Sequence, residues 1–153
     1  MENRNKSVWS PEEGKQLGIM GDPFVCKAVG SDTEGGWSLF EATVMPGSVV
    51  PEHRHEEFDE AFYVLEGELE MSLDGETVKA TPGYFINVRR GEVHGYRNTA
   101  TAPAKYLSWT HPAGIEHFYE EISLNVKSLP DDLGKVLSIA EKHRIQLMPP
   151  REG

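Results

Sequence analysis

Residues 47–67 read GSVVPEHRHEEFDEAFYVLEG, which places imidazoles at His53 and His55 and a carboxylate at Glu60. On an extended backbone, side chains two apart project to the same side, so both imidazoles share one face. Neutral imidazole is a ready ligand for a borderline transition metal, and a carboxylate completes a facial two-His-one-carboxylate set. Glu60 can supply it, because it begins a strand in which it alternates with Phe62 and Val64. Glu56, Glu57 and Asp59 form an acidic run of the kind usually found in a solvated loop. Glu56 or Glu57 could nevertheless stand in for Glu60. An H-x-H pair alone is often a surface coincidence, so its meaning depends on the rest of the chain.

A third imidazole, His94, lies in a later strand with Tyr96. Three nitrogens and one oxygen on a six-coordinate ion leave two open positions, enough for a bidentate substrate or for a substrate plus O2.

Around this segment the chain is punctuated by Gly and Pro, 25 residues in all, between short β-branched or aromatic runs. That pattern predicts an all-β domain of many short strands. Strands are expected at Phe24–Val29, Trp37–Met45, Ala61–Leu65, Glu68–Leu73, Glu76–Ala80, Tyr84–Val88, His94–Arg97 and Ala104–Thr110. Asp74-Gly75 makes a tight hairpin turn. Before them, Ser10-Pro11-Glu12-Glu13 has the marks of a helix start, but Gly14 and Gly18 limit it to a turn or a very short helix. After them the period changes. Ile115, Phe118, Tyr119 and Ile122 mark one face of a short helix, and Leu133, Val136, Leu137 and Ala140 mark a second. The second opens with Pro130-Asp131-Asp132 and closes with Lys142-His143, which suits the helix dipole. Both helices are expected to pack against the outside of a small barrel or double-sheet sandwich.

Composition narrows the function. The 153 residues include 25 Asp or Glu and 15 Lys or Arg, a formal charge of −10 with the six His neutral. Such a field repels phosphate backbones and anionic membranes, so neither nucleic acid nor a membrane is an expected partner. Cys26 is the only cysteine. It permits no intramolecular disulfide and no Cys-based zinc site within one chain, and it reads as a small core residue. The opening MENRNKSVWSPEEG has no apolar core of a signal peptide, and no apolar run approaches membrane-spanning length. A cytoplasmic protein of one domain, residues 1–153, is expected.

Spacing then gives the H-x-H pair its weight. Gly47, His53, His55, Glu60 and Gly67 fit G-x5-H-x-H-x4-E-x6-G, and Gly83, Gly91, His94 and Asn98 fit G-x7-G-x2-H-x3-N. On these two motifs the sequence resembles the cupin family, over about residues 37–112. The resemblance implies a double-stranded β-helix (jelly-roll) barrel, followed here by a short helical segment at about residues 114–145. It also implies one divalent transition metal per chain (Fe, Mn, Ni, Cu or Zn), held by His53, His55, Glu60 and His94. Only Glu60 among the nearby acids has the family spacing. The sequence departs from the pattern at Arg89, where the family usually has proline. That position shapes a turn and holds no metal, so the ligand set carries over while the loop at the barrel mouth differs.

The runs at Trp37–Thr43, Asp59–Gly67, His94–Asn98 and His111–Tyr119 are similar to the quercetin-dioxygenase-like branch. This implies a dioxygenase acting with O2 on a small enolisable or phenolic substrate, with Glu60 able to act as base. The wider family also holds isomerases, cyclases and non-enzymatic binders, and fold alone does not choose among them. Phe62 and Tyr96 are the favoured pocket residues, since each shares a face with a proposed ligand. Phe40 is a further pocket candidate. Arg89, beside Arg90, could draw an anionic substrate to the mouth, although a surface turn balancing local acid is the plainer reading. His111, His117 and His143 lie outside both motifs and read as solvated or capping residues. The family's common answer to exposed sheet edges is a homodimer with strand exchange, for which Phe24–Val29 is the candidate strand.

Overall fold

A computed structural model describes residues 7–150. The strands are β1 (Lys15–Ile19), β2 (Asp22–Ala28), β3 (Ser38–Val44), β4 (Val49–His55), β5 (Asp59–Glu66), β6 (Leu69–Leu73), β7 (Glu76–Ala80), β8 (Phe85–Val88), β9 (His94–Arg97) and β10 (Ala104–His111). Two helices, α1 (Ile115–Asn125) and α2 (Leu133–Lys142), precede a last strand, β11 (Ile145–Leu147). Six strands form one antiparallel sheet in the order β1-β2-β3-β10-β5-β8, and five form the other in the order β11-β4-β9-β6-β7. The chain is thus mostly β-sheet, with two short helices.

The strands form where alternation buries one face. In β3, Phe40, Ala42 and Val44 are fully buried, and in β10 Ala104, Tyr106, Ser108 and Thr110 face the same interior. Leu69 and Met71 do the same from β6 in the other sheet. The β6–β7 hairpin closes through Asp74 and Gly75, both at positive φ, with Leu73 paired to Glu76.

A bulge in β4 matters most for the site. The β4–β9 register shifts between Val50 and His53, where Pro51 has no N–H to give to the ladder. The bulged backbone passes so close to Gly95 that a Cβ there would meet the Val50 carbonyl oxygen at 2.7 Å and the Glu52 nitrogen at 3.0 Å. Glycine at 95 is therefore what lets β4 and β9 bring His53 directly opposite His94.

Three expectations change. The segment before Gly18 makes only a brief turn and then becomes β1, because Leu17 and Ile19 alternate inward and pair with β2. With β1 on its outer side and β3 on its inner side, β2 lies inside its own sheet, so Phe24–Ala28 is paired within the chain and is not an edge offered for exchange. The helices also do more than pack outside. Ile115, Ile122, Val126 and Ala140 belong to the core itself.

Buried Glu116 anchors α1 to the barrel. Its carboxylate accepts the Gly30 N–H (2.8 Å), the Ser38 hydroxyl (2.6 Å) and the Gly114 N–H (2.9 Å). Burial alone would raise its pKa, but the bonds from Ser38, Gly30 and Gly114 outweigh burial and hold it below the usual value. No helix among the described residues is long and apolar enough to cross a membrane.

Candidate metal centre

The four proposed ligands converge from three strands. His53 and His55 close β4, Glu60 stands near the start of β5, and His94 opens β9. The histidines come from the five-stranded sheet and the carboxylate from the facing sheet. One ligand atom from each residue can be chosen so that all four lie within 4.8 Å of one another. His55, Glu60 and His94 are buried, and His53 is half-buried. The His53 and His94 rings lie 4.2 Å apart, and the His55 ring stacks on Phe58 at 3.9 Å.

Backbone carbonyls settle which ring nitrogens face inward. Nδ1 of His53 donates to Pro51 O (2.9 Å), that of His55 to Phe58 O (3.1 Å) and that of His94 to Glu92 O (3.1 Å). A neutral imidazole that donates through Nδ1 has only a lone pair at Nε2. Those lone pairs face a carboxylate, which is also an acceptor: Glu60 Oε1 lies 3.2 Å from His94 Nε2 and 3.4 Å from His55 Nε2. Among the described residues, His55 Nε2 has no hydrogen-bond partner. Acceptors crowded this closely are satisfied by a proton or a metal ion between them. Bonds of about 2.1 Å to one ion place neighbouring ligand atoms roughly 3.0–3.4 Å apart, which agrees with both contacts. The donor set therefore fits a divalent ion, and the Nδ1 bonds are the outer contacts that orient metal-binding histidines.

The electrostatics agree. Burial, reinforced by the neighbouring His94, pushes the His53 pKa down to about 4, so this ring is neutral at pH 7 and free to ligate. Burial alone would push Glu60 up, and only N–H bonds or positive charge at His55 and His94, or an ion in their place, hold its carboxyl well below the usual carboxylate range. Ser108 Oγ donates to Glu60 Oε2 at 3.1 Å and fixes the carboxylate's rotation. No sequence motif marks Ser108. The inward alternation of β10 was the signal that could have found it.

The centre opens into a cavity of about 470 Å3. Phe62 and Tyr96 line it, and so do Tyr106 and, from the helices, Phe118, Tyr119 and Val136. Phe40 and Arg89 lie elsewhere. Phe40 is fully buried behind the wall with its ring edge-on to Tyr119, because β3 points it into the packed core. Arg89 stands on the loop after β8 with its side chain 76% exposed, paired with Glu92 at 3.5 Å. Glu57 is exposed and bound to Arg144, so it does not compete with Glu60. Cys26 is buried. His111 donates to Gly36 O, His143 meets Glu121 and His117 is exposed.

Residues 40–110, which carry all four candidate ligands, match the cupin domain family. This stretch is a cupin domain. Over 70 residues the chain is 34% identical to quercetin 2,3-dioxygenase of Bacillus subtilis, covering 46% of this chain and 21% of that protein. It is 30% identical over 94 residues to the polyketide synthase protein CurC of Streptomyces cyaneus, covering 60% of each. Among solved structures, the polyketide cyclase RemF of Streptomyces resistomycificus superposes with a TM-score of 0.61 at 25% identity, covering 69% of this chain and 79% of that one. KdgF of a Halomonas species superposes at 0.65 with 19% identity, covering 74% and 99%, a likeness of fold alone. The chain spans only 21% to 60% of the length of the first three curated relatives.

Proposed function

We propose that this cupin is a metal-dependent oxidoreductase, a dioxygenase acting on a small enolisable or phenolic compound. The observation that carries the reading is the crowding of His53, His55, Glu60 and His94 acceptors at the head of a largely apolar cavity. These four residues would hold one divalent ion, of Fe, Mn, Ni, Cu or Zn. When bound, the ion supplies Lewis acidity that lowers the pKa of a substrate hydroxyl, together with open positions for that oxygen and for O2. The similarity to quercetin 2,3-dioxygenase supports the choice of oxygen chemistry.

The chain's own residues do the remainder. Phe62 and the aromatic wall bind the apolar body of the substrate and exclude water. Glu60 is ionised and lies where a substrate hydroxyl would arrive, so it can take that proton at Oε1 while Ser108 steadies Oε2. Its depressed basicity makes it an effective acceptor only for a hydroxyl that is itself acidified, so proton transfer and oxygen coordination would act together.

A second reading, an oxygen-independent cyclase or isomerase using the same ion, is favoured by the likeness to the polyketide cyclase RemF. The test loads the purified protein with each candidate metal and screens enols and phenols in an oxygen electrode. Stoichiometric oxygen uptake with product formation supports the dioxygenase. Turnover without oxygen uptake replaces it with the second reading, and tight binding without turnover makes the protein a binder.

A further inference from the structure

The polar groups of the cavity divide into two ends. At one end stands the histidine–glutamate cluster. At the other, Asp22 and Ser48 bond each other at 2.5 Å, and Asp22 also accepts the Met45 N–H. Between these ends lie Tyr96 and Tyr106, both buried, with their hydroxyl oxygens 2.8 Å apart. Tyr96 follows His94 by two residues on the same face of β9, about 6.5–7 Å further along the strand. Tyr106 precedes Ser108, which holds Glu60, by two residues on β10. The pair therefore sits one strand step or more beyond the metal centre, inside the same cavity.

The hydrogen-bond count at this pair does not close. Two phenols bring two O–H donors, and the bond between them uses one. Among the described residues, neither hydroxyl has another hydrogen-bond partner. One O–H is thus left to donate, in a chamber whose surrounding wall is largely apolar. A phenol is an O–H donor across the physiological range, so both hydroxyls carry their protons. Phe62 packs edge-on against both rings, at 6.5 Å from Tyr96 and 5.2 Å from Tyr106, which holds the hydroxyls in place.

We propose that the Tyr96–Tyr106 hydroxyl pair is a specificity anchor that donates a hydrogen bond to an acceptor oxygen of the ligand. The preferred ligand is then a flat aromatic molecule with oxygen at both ends, a hydroxyl for the metal centre and an ether or carbonyl oxygen for the tyrosines. This rests on the reading of the cavity as the substrate chamber, and it holds for the dioxygenase and the cyclase alike.

The probes are 2-naphthol, 6-methoxy-2-naphthol and 6-ethyl-2-naphthol. The last fills the space of the methoxy group without its acceptor. Binding is followed by naphthol fluorescence on the full chain, with and without added Mn2+, and metal content is measured in parallel. The expected result is that wild type binds the methoxy compound about three- to tenfold more tightly than the ethyl compound, the yield of one net hydrogen bond. In the Tyr96→Phe/Tyr106→Phe double variant the two should bind equally, with metal content unchanged. Each single variant should keep the preference, because the remaining hydroxyl still carries its proton. Equal binding of the two compounds by wild type, or no binding of any naphthol, overturns the anchor. So does a preference that survives in the double variant. The wild-type comparison decides the matter even if the double variant fails to fold. A methoxy preference in protein that takes up no metal would keep the anchor and sink the metal reading, whereas metal uptake without the preference would do the reverse.

Discussion

Replacing Glu60 with glutamine should weaken metal binding and yet stabilise the metal-free protein. Without an ion, Glu60 Oε1 faces the Nε2 lone pairs of His94 and His55 at 3.2 and 3.4 Å, and all three groups are acceptors. Glutamine keeps the shape. Its carbonyl oxygen can take the place of Oε2 and accept the Ser108 hydroxyl, which now donates at 3.1 Å. Its amide nitrogen then occupies the Oε1 position with two N–H groups, one aimed at each imidazole. A buried polar group left unpaired costs about 1–3 kcal/mol, so satisfying His55 Nε2 and removing a buried charge should yield about 1–2 kcal/mol. For a chain of this size that is about 3–6 °C in Tm.

The metal-bound state should move the other way. Loss of even an outer contact to a metal-binding histidine lowers affinity about 10–100-fold, and loss of a charged ligand should exceed that. The assay is thermal unfolding of chelator-treated wild type and Glu60→Gln at pH 8, repeated with added metal. The expected pattern is a crossing: the variant is more stable without metal and less stable with it. A metal-free variant that melts below wild type would refute the reasoning. It would mean that a proton already bridges Glu60 and a histidine, so that the cluster needs no ion to be at rest.

Other expectations follow from single observations. The metal-free protein should lose up to about 3 kcal/mol of stability as pH falls from 6.5 towards 4, because the unfolded chain protonates His53 in that window and the folded chain resists it; denaturant titrations at stepped pH that showed no slope there would contradict this. Gly95→Ala should cost about 1–3 kcal/mol and lower metal occupancy, since the new methyl presses on the Val50 carbonyl and shifts the bulge that carries His53; unaltered metal content by elemental analysis would show that β4 can yield. Arg89→Ala should change stability by less than about 0.5 kcal/mol and leave binding of anionic ligands unaltered at low salt, as befits an exposed pair with Glu92, and a clear loss of affinity would restore Arg89 to the site.

The His/His/Glu/His cluster was legible in the sequence because its information is local. Alternation alone puts His53 and His55 on one face, and motif spacing adds Glu60 and His94. The rest depended on where strands cross. Nothing near Ser108 says that its hydroxyl meets Glu60, a partner 48 residues away. Phe40 and Phe62 look equivalent in sequence, both aromatic and both inward on their strands. Only the packing of Tyr119 against Phe40 puts one in the wall's backing and the other on its surface. β1 was hidden by its glycines. Gly14, at φ +128° and placed so that a Cβ there would collide with the Cys26 carbonyl, proves to be the lead-in to a strand and not the end of a helix.

The same division explains what the relatives transmit. Every candidate ligand lies within residues 40–110, the stretch that matches the cupin domain. Part of the cavity wall does not. Phe24 comes from β2, Phe118, Tyr119 and Ile122 from α1, and Val136 from α2, all outside that stretch. Glu116, which locks α1 onto Gly30 and Ser38, lies outside it as well. A change in the helices could therefore reshape the chamber without disturbing a ligand, since their contacts to the barrel run through Glu116, the Glu120–Lys15 pair, the Ser123–Gly18 bond and apolar packing, not through the cluster. Phe62, Tyr96 and Tyr106 are wall residues carried within that stretch, on the barrel strands themselves. A ligand gripped by the tyrosine pair and by the centre would be fixed at two points by the barrel, leaving the helices to select what lies between them.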